Sequence, residues 1–322
     1  MKDSIYYYWV QRIFISIEGE LMSTKSQQCK LVIHGGAGAL HTDHFTPSLE
    51  KNYHQVLKKS LLAGYKVLSK NGSSLDAVIA AVKILENSPL FNAGYGSVLT
   101  QNGTVELDAS IMDGTNLKAG TVAGISRIKN PVLLARLIME QSKHVMLIGK
   151  RAELFAKKQG MPLIDAQQLI TKKQFKRWQT IKAKATSDHK FGTVGAVALD
   201  HNDHLAAATS TGGIMNKLPG RVGDSAVIGA GTYANNNYCA ISGTGQGELF
   251  MRLLLSYDVA AQMMYKNASL EQAGTNAIQK LTDIQGKGGI IALDHLGNHI
   301  MLFNTECMYR GFIDAKNLYT YI

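Results

Sequence analysis

Apolar side chains recur at helical spacing in the first quarter of the chain. Between residues 49 and 68 they return every three or four positions, which predicts an amphipathic helix that ends near Asn71-Gly72. Ser73, followed three positions later by Asp76, resembles a capping box, and apolar positions continue from there to Leu85 as a second helix. Because each helix has one apolar face, both need a further layer to pack against.

Short apolar runs supply that layer. They predict strands at 30–33, 105–112, 121–126 and 145–148, with a helix at 133–138 between them. Strands at 193–200 and 205–209 flank the turn residues Asn202-Asp203 and predict a hairpin. Further strands are expected at 226–228, 238–241, 289–293 and 299–303, and helices at 248–255 and 270–281. Early helices, late hairpins and no strict βαβ alternation favour an α+β layered fold over a doubly wound sheet.

Composition places the chain among globular proteins. Its 322 residues are 45% apolar and 18% charged, which excludes collagen, coiled coil and general disorder. No apolar stretch reaches the eighteen residues that a membrane span needs, so we expect a soluble protein with no membrane partner. Three cysteines without CxxC spacing favour reduced thiols and therefore the cytoplasm.

The formal charge of +10 is concentrated in one segment. Residues 143–190 contain twelve basic and three acidic side chains, whereas the rest of the chain contains 22 basic and 21 acidic ones. Apolar periodicity is weak after Gly160, so residues 161–192 are predicted to be a mobile basic linker. With the excess charge outside the folded body, nucleic acid is not an expected partner.

The first 21 residues do not have the pattern of a signal peptide, because Gln11 and Arg12 interrupt the apolar run and no small-residue cleavage site follows. They are either a poorly ordered extension, an amphipathic segment, or an artefact of an upstream start codon. We favour the last reading, with Met22 as the true initiator.

Common catalytic and metal motifs are missing from the sequence. HGGAG at 34–38 lacks the GK[ST] ending of a phosphate loop, and there is no HExxH, CxxC or GxSxG. The ten histidines are scattered, so we expect them to be ordinary turn or surface residues; those in predicted turns are His34, His201, His204 and His295. These exclusions favour an uncommon nucleophile.

Thr193 is the candidate for it. It follows Gly192 at the start of a predicted strand and directly after the polar linker. If the chain is cut before Thr193, the α-amine of this residue is within reach of its own hydroxyl and can act as the base, since such amines titrate near pH 7.7 to 8.0. The alternative is that Thr193 merely begins a strand.

Two later segments can converge on Thr193. Residues 209–213 place Thr211 at the end of the neighbouring strand, and the glycine-rich run 243–248 precedes a helix whose free N–H groups can hold an oxyanion. Between them, Arg221 and Asp224 lie three positions apart in a turn-rich loop. They can grip the carboxylate and ammonium of a zwitterion, or they can form a solvated ion pair.

Several motifs together carry a family resemblance, which covers nearly the whole of 30–311. They are HGGAG at 34–38, FNAGYGSV at 91–98, ELDASIMDG at 106–114, GTVGAVALD at 192–200, TSTGG at 209–213, LPGRVGD at 218–224 and FNTECMYRGF at 303–312. With them the chain resembles the plant-type L-asparaginase and isoaspartyl peptidase family of N-terminal-nucleophile hydrolases.

The resemblance implies a four-layer αββα sandwich, made as a precursor that cleaves itself between Gly192 and Thr193. An α chain (22–192) and a β chain (193–322) would result, and two such pairs would form a heterotetramer. Thr193 would be the nucleophile, with Thr211 beside it and Thr244 and Gly245 as the oxyanion hole. The substrate site implied by the family comprises Arg221, Val222, Gly223, Asp224, Thr244, Gly245, Gln246 and Gly247.

The resemblance also implies a structural sodium ion and no catalytic cofactor. Its ligands would be main-chain carbonyls of Leu85, Glu86, Ser88, Phe91, Ala93 and Tyr95. The implied substrates are L-asparagine and β-aspartyl dipeptides. Gly rather than Asp before Thr193 lowers the expectation of a glycosylasparaginase, which remains the alternative enzyme. A catalytically silent relative that binds an anionic partner such as RNA through residues 161–190 is the alternative of another class.

Overall fold

The computed structural model describes residues 29–38, 46–184 and 192–322, and within them the fold is α+β. The helices are α1 (Pro47–Leu68), α2 (Ser74–Glu86), α3 (Pro131–Gln141), α4 (Gly149–Lys158), α5 (Lys172–Lys184), α6 (Gly247–Leu253), α7 (Leu255–Lys266) and α8 (Leu270–Asp283). The strands are β1 (Lys30–Gly38), β2 (Leu107–Asp113), β3 (Ala119–Ile125), β4 (Met146–Ile148), β5 (Val194–Leu199), β6 (Leu205–Thr211), β7 (Thr232–Ala234), β8 (Cys239–Gly245), β9 (Gly288–Asp294), β10 (His299–Phe303), β11 (Cys307–Ile313) and β12 (Leu318–Tyr321). The predicted segment 1–21 lies outside the described residues.

The described strands form two sheets. The larger has eight strands in the order β12-β11-β1-β5-β6-β2-β3-β4, and the smaller has four in the order β10-β9-β8-β7. Neighbouring strands are antiparallel except for the parallel pair β3 and β4. The predicted hairpin is the β5–β6 pair at the centre of the larger sheet, and both strands face β8 of the smaller sheet.

The central strands are continuous apolar runs in the sequence because their two faces pack into two different apolar cores. Val194, Ala196 and Ala198 of β5 point into the core beneath α1, α2 and α3. Val197 and Leu199 point into the other core, which the smaller sheet shares with α7 and α8. Alternate side chains of one strand therefore enter different cores, as the two-residue period of a strand requires. Because both faces are buried, no polar positions interrupt the run.

The prediction of a linker from residue 161 is wrong over its described part. Ala166–Leu169 is a 3₁₀ helix and Lys172–Lys184 is helix α5. Leu169 and Ile181 are buried in the core, and the amide of Gln174 donates to the carbonyl of Gly96 at 2.9 Å. Lys and Gln are good helix formers, so their abundance does not argue against a helix. Only a few side chains on one side of α5 contact the core, so the apolar periodicity of this segment is weak. Residues 185–191 lie outside the described part of the chain.

Other segments differ from the sequence-based expectation. The strand expected at 226–228 is replaced by the 3₁₀ turn Asp224–Ala226. The helix expected at 248–255 is α6, which ends before Leu254 with φ 46°, and α7, which follows it, was not predicted. The pattern also missed β7, β11, β12 and α4. The outer strand β12 alternates between half-buried and exposed side chains, so it has no pronounced apolar run.

No helix in the described ranges is both long and apolar enough to cross a bilayer. Cys29, Cys239 and Cys307 are all buried and unpaired with one another.

The docking of α5 can be tested by truncating its buried contact. We expect Ile181→Ala to lower the free energy of unfolding by about 2 kcal/mol, because it leaves a cavity in the core. The exposed Gln179→Ala on the same helix is the matched control. Urea unfolding followed by far-UV circular dichroism measures both variants, and equal midpoints for Ile181→Ala and wild type would show that α5 is undocked in solution.

Candidate functional site

Two threonine hydroxyls meet at the end of the central hairpin. Val194 of β5 pairs with Ser210 of β6, so Thr193 and Thr211 lie side by side one position further along. The hydroxyl of Thr193 donates to Thr211 Oγ1 at 3.1 Å, and both residues are buried. Thr211 Oγ1 also accepts from the N–H of Gly213 at 3.0 Å. Thr211 thus holds the Thr193 hydroxyl in one orientation.

The peptide between Gly192 and Thr193 is closely packed. Gly36 of β1 has φ 109°, and a methyl group on it would lie 2.8 Å from Gly192 Cα. A methyl group on Gly192 would in turn lie 2.8 Å from Asn92 Cβ. Both positions therefore require glycine, and the bond expected to be cleaved lies between Gly36 of β1 and Asn92.

Asn92 is a site residue that the sequence analysis quoted in a motif but assigned no role. Its main-chain carbonyl accepts from Gly212 at 3.0 Å, and its amide donates to the carbonyl of Gly213 at 2.6 Å. The amide oxygen accepts from Val98 at 2.9 Å. Asn92 thereby ties the loop after α2 to the end of β6. An asparagine directly before a glycine-containing turn, Gly94 to Gly96, is the signal that was available for it.

His34 is neither a surface nor a turn residue, contrary to the expectation. It lies within β1 and is fully buried. Its ring contacts the carbonyl oxygen of Thr193 through Nδ1 at 3.0 Å and the hydroxyl of Ser242 through Nε2 at 2.9 Å. His201 and His295 are exposed and His204 is half-buried, as expected for turn residues. A single sequence cannot distinguish a buried histidine within a strand from a histidine in a loop.

The smaller sheet contributes Thr244 and Gly245. Thr244 is fully buried in β8, and its Oγ1 accepts from the N–H of Ala37 in β1 at 3.2 Å. A methyl group on Gly245 would lie 2.5 Å from the carbonyl oxygen of Lys287, so no larger residue fits there. The contact with Ala37 joins the end of β8 in the smaller sheet to β1, the strand that also carries His34.

Arg221 is held in an ion pair. Its Nε and Nη2 donate to Glu248 Oε1, at 2.9 Å and 2.8 Å respectively. Methyl groups on Gly213 and Gly223 would lie 3.3 Å and 2.8 Å from Arg221 Nη1. The glycines therefore leave room for the guanidinium beside Gly213, which follows Thr211 by two positions. No local pattern in the sequence marks Glu248 as the partner of Arg221.

Asp224 is a buried carboxyl group next to this guanidinium. Burial raises the pKa of Asp224 to about 7, and the positive charge of Arg221 opposes this shift. Its Oδ2 has no hydrogen-bond partner in the described part of the chain. A methyl group on Gly247 would lie 2.6 Å from Asp224 Oδ1 and 3.0 Å from Arg221 Nη2, so Gly247 keeps the space open. An unpartnered buried carboxylate beside an arginine suits a ligand that carries both an ammonium and a carboxylate.

Three further residues of the predicted substrate site lie around the Arg221–Asp224 pair in the sequence. The side-chain oxygen of Gln246 accepts from the N–H of Lys287 at 2.9 Å, so this amide is already engaged outside the Arg221–Asp224 pair. Val222 is half-buried beside Arg221. The N–H of Gly223 donates to the buried Asp108 at 3.4 Å, which fixes the loop from below.

Lys217 and Asp108 are buried charges that the sequence analysis missed. The ammonium of Lys217 donates to the carbonyl of Glu106 at 2.9 Å, and burial lowers its pKa. Burial raises the pKa of Asp108, while the nearby positive charge of Lys217 opposes the shift. The two opposite charges compensate each other beneath the loop that carries Arg221.

The end of α2 and the loop after it carry the main-chain carbonyls that the resemblance implies as sodium ligands. The carbonyls of Leu85 and Glu86 accept from Ser88 at 3.1 Å and from Tyr95 at 2.8 Å. Those of Ser88, Phe91, Ala93 and Tyr95 accept no hydrogen bond from a described residue. Oxygen-only surroundings suit a hard cation. Across the described ranges, no cluster of three His, Cys, Asp or Glu residues is placed to hold a metal ion.

Comparison with known proteins assigns the family. The model of the asparaginase family matches residues 27–322. The isoaspartyl peptidase of Escherichia coli is 49% identical over 88% of this chain and 92% of its own. The putative isoaspartyl peptidase/L-asparaginase of Dictyostelium discoideum is 43% identical over 89% and 94%, and the probable isoaspartyl peptidase/L-asparaginase 2 of Arabidopsis thaliana is 39% identical over 87% and 94%. With its paired threonines and adjacent Arg221–Asp224 pair, this chain therefore belongs to the asparaginase family of isoaspartyl peptidases and L-asparaginases.

Proposed function

We propose that this protein is a threonine hydrolase that activates itself by autoproteolysis and releases L-aspartate from β-aspartyl dipeptides and from L-asparagine. The observation that carries the proposal is the hydrogen bond between the hydroxyls of Thr193 and Thr211. Thr211 is the last residue of β6, and Gly213, two positions later, lies beside the guanidinium of Arg221. The names of the relatives support the same substrates. Two facing sheets with α1 and α2 on one side and α7 and α8 on the other support a four-layer αββα arrangement.

Activation begins in the intact chain. The hydroxyl of Thr193 adds to the carbonyl carbon of Gly192 and gives up its proton. The peptide C–N bond then breaks as an ester forms at Thr193 Oγ1, and the departing nitrogen takes up a proton to become the α-amine. Water then hydrolyses the ester, which leaves a carboxylate on Gly192 and a free α-amine and hydroxyl on Thr193. The close packing around Gly192 restrains its carbonyl near the hydroxyl, and such restraint favours an intramolecular attack.

Hydrolysis of substrate uses the same hydroxyl. Arg221 binds the α-carboxylate and Asp224 binds the α-ammonium, which presents the side-chain amide carbon to Thr193. The free α-amine takes the hydroxyl proton as the C–O bond forms, and passes a proton to the departing ammonia or peptide amine. Thr244 and Gly245 stabilise the oxyanion. Water finally hydrolyses the aspartyl ester and regenerates the Thr193 hydroxyl.

The main-chain carbonyls of residues 85–95, at the end of α2 and on both sides of Asn92, would suit a sodium ion. Ser88, Phe91, Ala93 and Tyr95 would hold it through carbonyls that have no described donor, with Leu85 and Glu86 at the helix end. The ion would stiffen the segment that carries Asn92, and it would take no part in the chemistry. We further propose a cytoplasmic dimer of αβ heterodimers, with small molecules rather than nucleic acid or membrane as its ligands.

Thr193→Ala should abolish both self-cleavage and hydrolysis, because it removes the only proposed nucleophile. Intact-mass spectra after incubation at 37 °C, followed by aspartate release from β-aspartyl-leucine and asparagine, measure the two reactions. The exposed Thr180→Ala should behave as wild type, which gives fragments that meet at Gly192 and Thr193. Turnover by an uncut Thr193→Ala chain would contradict the mechanism. A wild-type protein that stays uncut and inactive would favour the catalytically silent relative. Cleavage of glycan-bearing asparagine would favour a glycosylasparaginase.

Arg221→Ala should raise KM for β-aspartyl-leucine by about 10- to 100-fold, since a charge-assisted hydrogen bond contributes roughly 1.5–3 kcal/mol. Steady-state kinetics measures the change. Arg221→Lys keeps the charge without the fork and should fall between Ala and wild type. The control is Arg252→Ala on the exposed side of α6. An unchanged KM for Arg221→Ala would assign the carboxylate site elsewhere.

Binding of the product L-aspartate should weaken as the pH falls below about 7. The pKa of Asp224 is raised to about 7, so its carboxyl group becomes neutral below that pH and loses its attraction for the α-ammonium, which stays protonated. The inhibition constant of L-aspartate should rise by up to about tenfold per pH unit below the pKa. Asp224→Asn should bind weakly at every pH and lack this slope. A wild-type constant independent of pH between 5 and 7 would refute the role of Asp224.

A further inference from the structure

We propose that His34 is a positioning residue that fixes the main-chain carbonyl of Thr193 and thereby the aim of the nucleophile. The proposal rests on the proposed function, because it concerns the hydroxyl that carries out the hydrolysis. His34 does not contact the reacting atoms itself. It acts on the peptide group that contains the Thr193 carbonyl, and this group sets the position of the Thr193 Cα atom.

The hydrogen bonds of His34 define its tautomer. Nδ1 lies 3.0 Å from the carbonyl oxygen of Thr193, which can only accept, so Nδ1 carries the proton. In the neutral ring Nε2 then has no proton and accepts from the hydroxyl of Ser242 at 2.9 Å. Burial lowers the pKa of His34 to about 3, so the ring keeps this neutral form around neutral pH. His34 is therefore a fixed donor to Thr193 rather than a proton carrier.

A row of buried hydroxyl groups orients Ser242. Ser242 Oγ lies 2.6 Å from Thr209 Oγ1, and Thr232 donates to the same Thr209 oxygen. Ser110 Oγ lies 2.7 Å from Thr232 Oγ1 and 2.6 Å from the carbonyl of Ser225. The row alternates between strands of the two sheets, since Ser110 and Thr209 belong to the larger sheet and Thr232 and Ser242 to the smaller. The Thr209 proton has two acceptors within reach, Ser242 Oγ and the carbonyl of Gly231 at 3.1 Å. When it goes to Ser242, the Ser242 proton is directed at His34.

Gly195 keeps the space for this contact. A methyl group on Gly195 would collide with Ser242 Oγ and His34 Nε2. Gly195 pairs with His34 across β1 and β5 and lies two positions after Thr193. Gly195, the second glycine of the GTVG sequence, is therefore required because no side chain fits at that position. A turn or chain flexibility is not needed to explain it.

The effect should be larger after cleavage than before it. In the precursor, Thr193 is held by the chain on both sides. Once the bond to Gly192 is cut, Thr193 is a chain terminus and only its own carbonyl side remains covalently attached. The His34 contact then fixes the Thr193 peptide plane, and the Thr211 contact fixes the hydroxyl, so that two points define the nucleophile. Misplacement of a reacting atom lowers kcat more than it weakens substrate binding.

A pair of amide substitutions separates the two ring nitrogens. In His34→Asn the amide nitrogen can take the place of Nδ1 and still donate to Thr193, but it cannot reach Ser242. In His34→Gln the amide lies near the place of Nε2 and contacts Ser242, but it leaves the Thr193 carbonyl without its donor. We expect kcat for β-aspartyl-leucine to fall at least about tenfold in His34→Gln and only about threefold in His34→Asn, with KM within twofold of wild type in both.

The experiment measures kcat, KM, the fraction of cleaved chain and the melting temperature for these variants and for Ser242→Ala. The exposed His295→Asn is the matched control. Ser242→Ala leaves the donor to Thr193 in place and should resemble His34→Asn, which keeps the test interpretable if one His34 variant is too unstable to purify. Kinetics are expressed per cleaved active site, so that slower activation is not counted as slower hydrolysis.

Equal losses of kcat in His34→Gln and His34→Asn would reduce His34 to a packing residue and overturn the proposal. Wild-type kcat in His34→Gln would do the same, and so would a change confined to KM. Each of these outcomes leaves the proposed function intact, because the wild-type and His295→Asn proteins still cleave themselves and hydrolyse substrate. Absence of hydrolysis in those two proteins would instead refute the proposed function.

Discussion

The register between β5 and β6 is the constraint on which the site depends. Val194 pairs with Ser210, and this pairing alone brings the hydroxyls of Thr193 and Thr211 within 3.1 Å. A shift by one residue would send the apolar side chains of β5 into the wrong cores and separate the two threonines. Because the strand is buried on both faces, the apolar cores that stabilise the fold also enforce the geometry of the nucleophile.

The remaining parts of the site come from the other sheet and from loops, and β1 connects them. Ala37 of β1 donates to Thr244 in the smaller sheet, while His34 of the same strand contacts both Thr193 and Ser242. The proposed oxyanion site and the proposed nucleophile therefore come together only when the two sheets have packed. Packing of the whole domain precedes chemistry, which is appropriate for a protein whose first proposed substrate is its own backbone.

The sequence predicted the parts of the structure that have strong local signals. The periodicity of α1 and α2, the β5–β6 hairpin and the positions of Thr193, Thr211, Arg221 and Asp224 followed from pattern and resemblance together. Helix α5 was missed because its few buried side chains lie among lysines and glutamines.

The roles of the buried polar residues needed the three-dimensional structure. His34, Asn92, Asp108 and Lys217 act through partners 100 or more positions away, and no local pattern encodes such contacts. Glu248 is similarly 27 positions from Arg221. Resemblance identified the residues proposed to react, whereas the buried contacts that orient them became visible only once the sheets were assembled.

The strand order of the larger sheet has a consequence for the protein after the proposed cut. Strand β1, from the first fragment, lies between β11 and β5 of the second, and β6 of the second pairs with β2 of the first. A cut at Gly192 therefore divides the covalent chain without dividing the sheet, and the fragments stay interleaved. Refolding of the unfolded precursor is a first-order event, but refolding of the two fragments requires them to meet, so it becomes second order and depends on protein concentration. The proposed cut, which would create the amine, would thus also remove the ability of a single chain to restore its own fold.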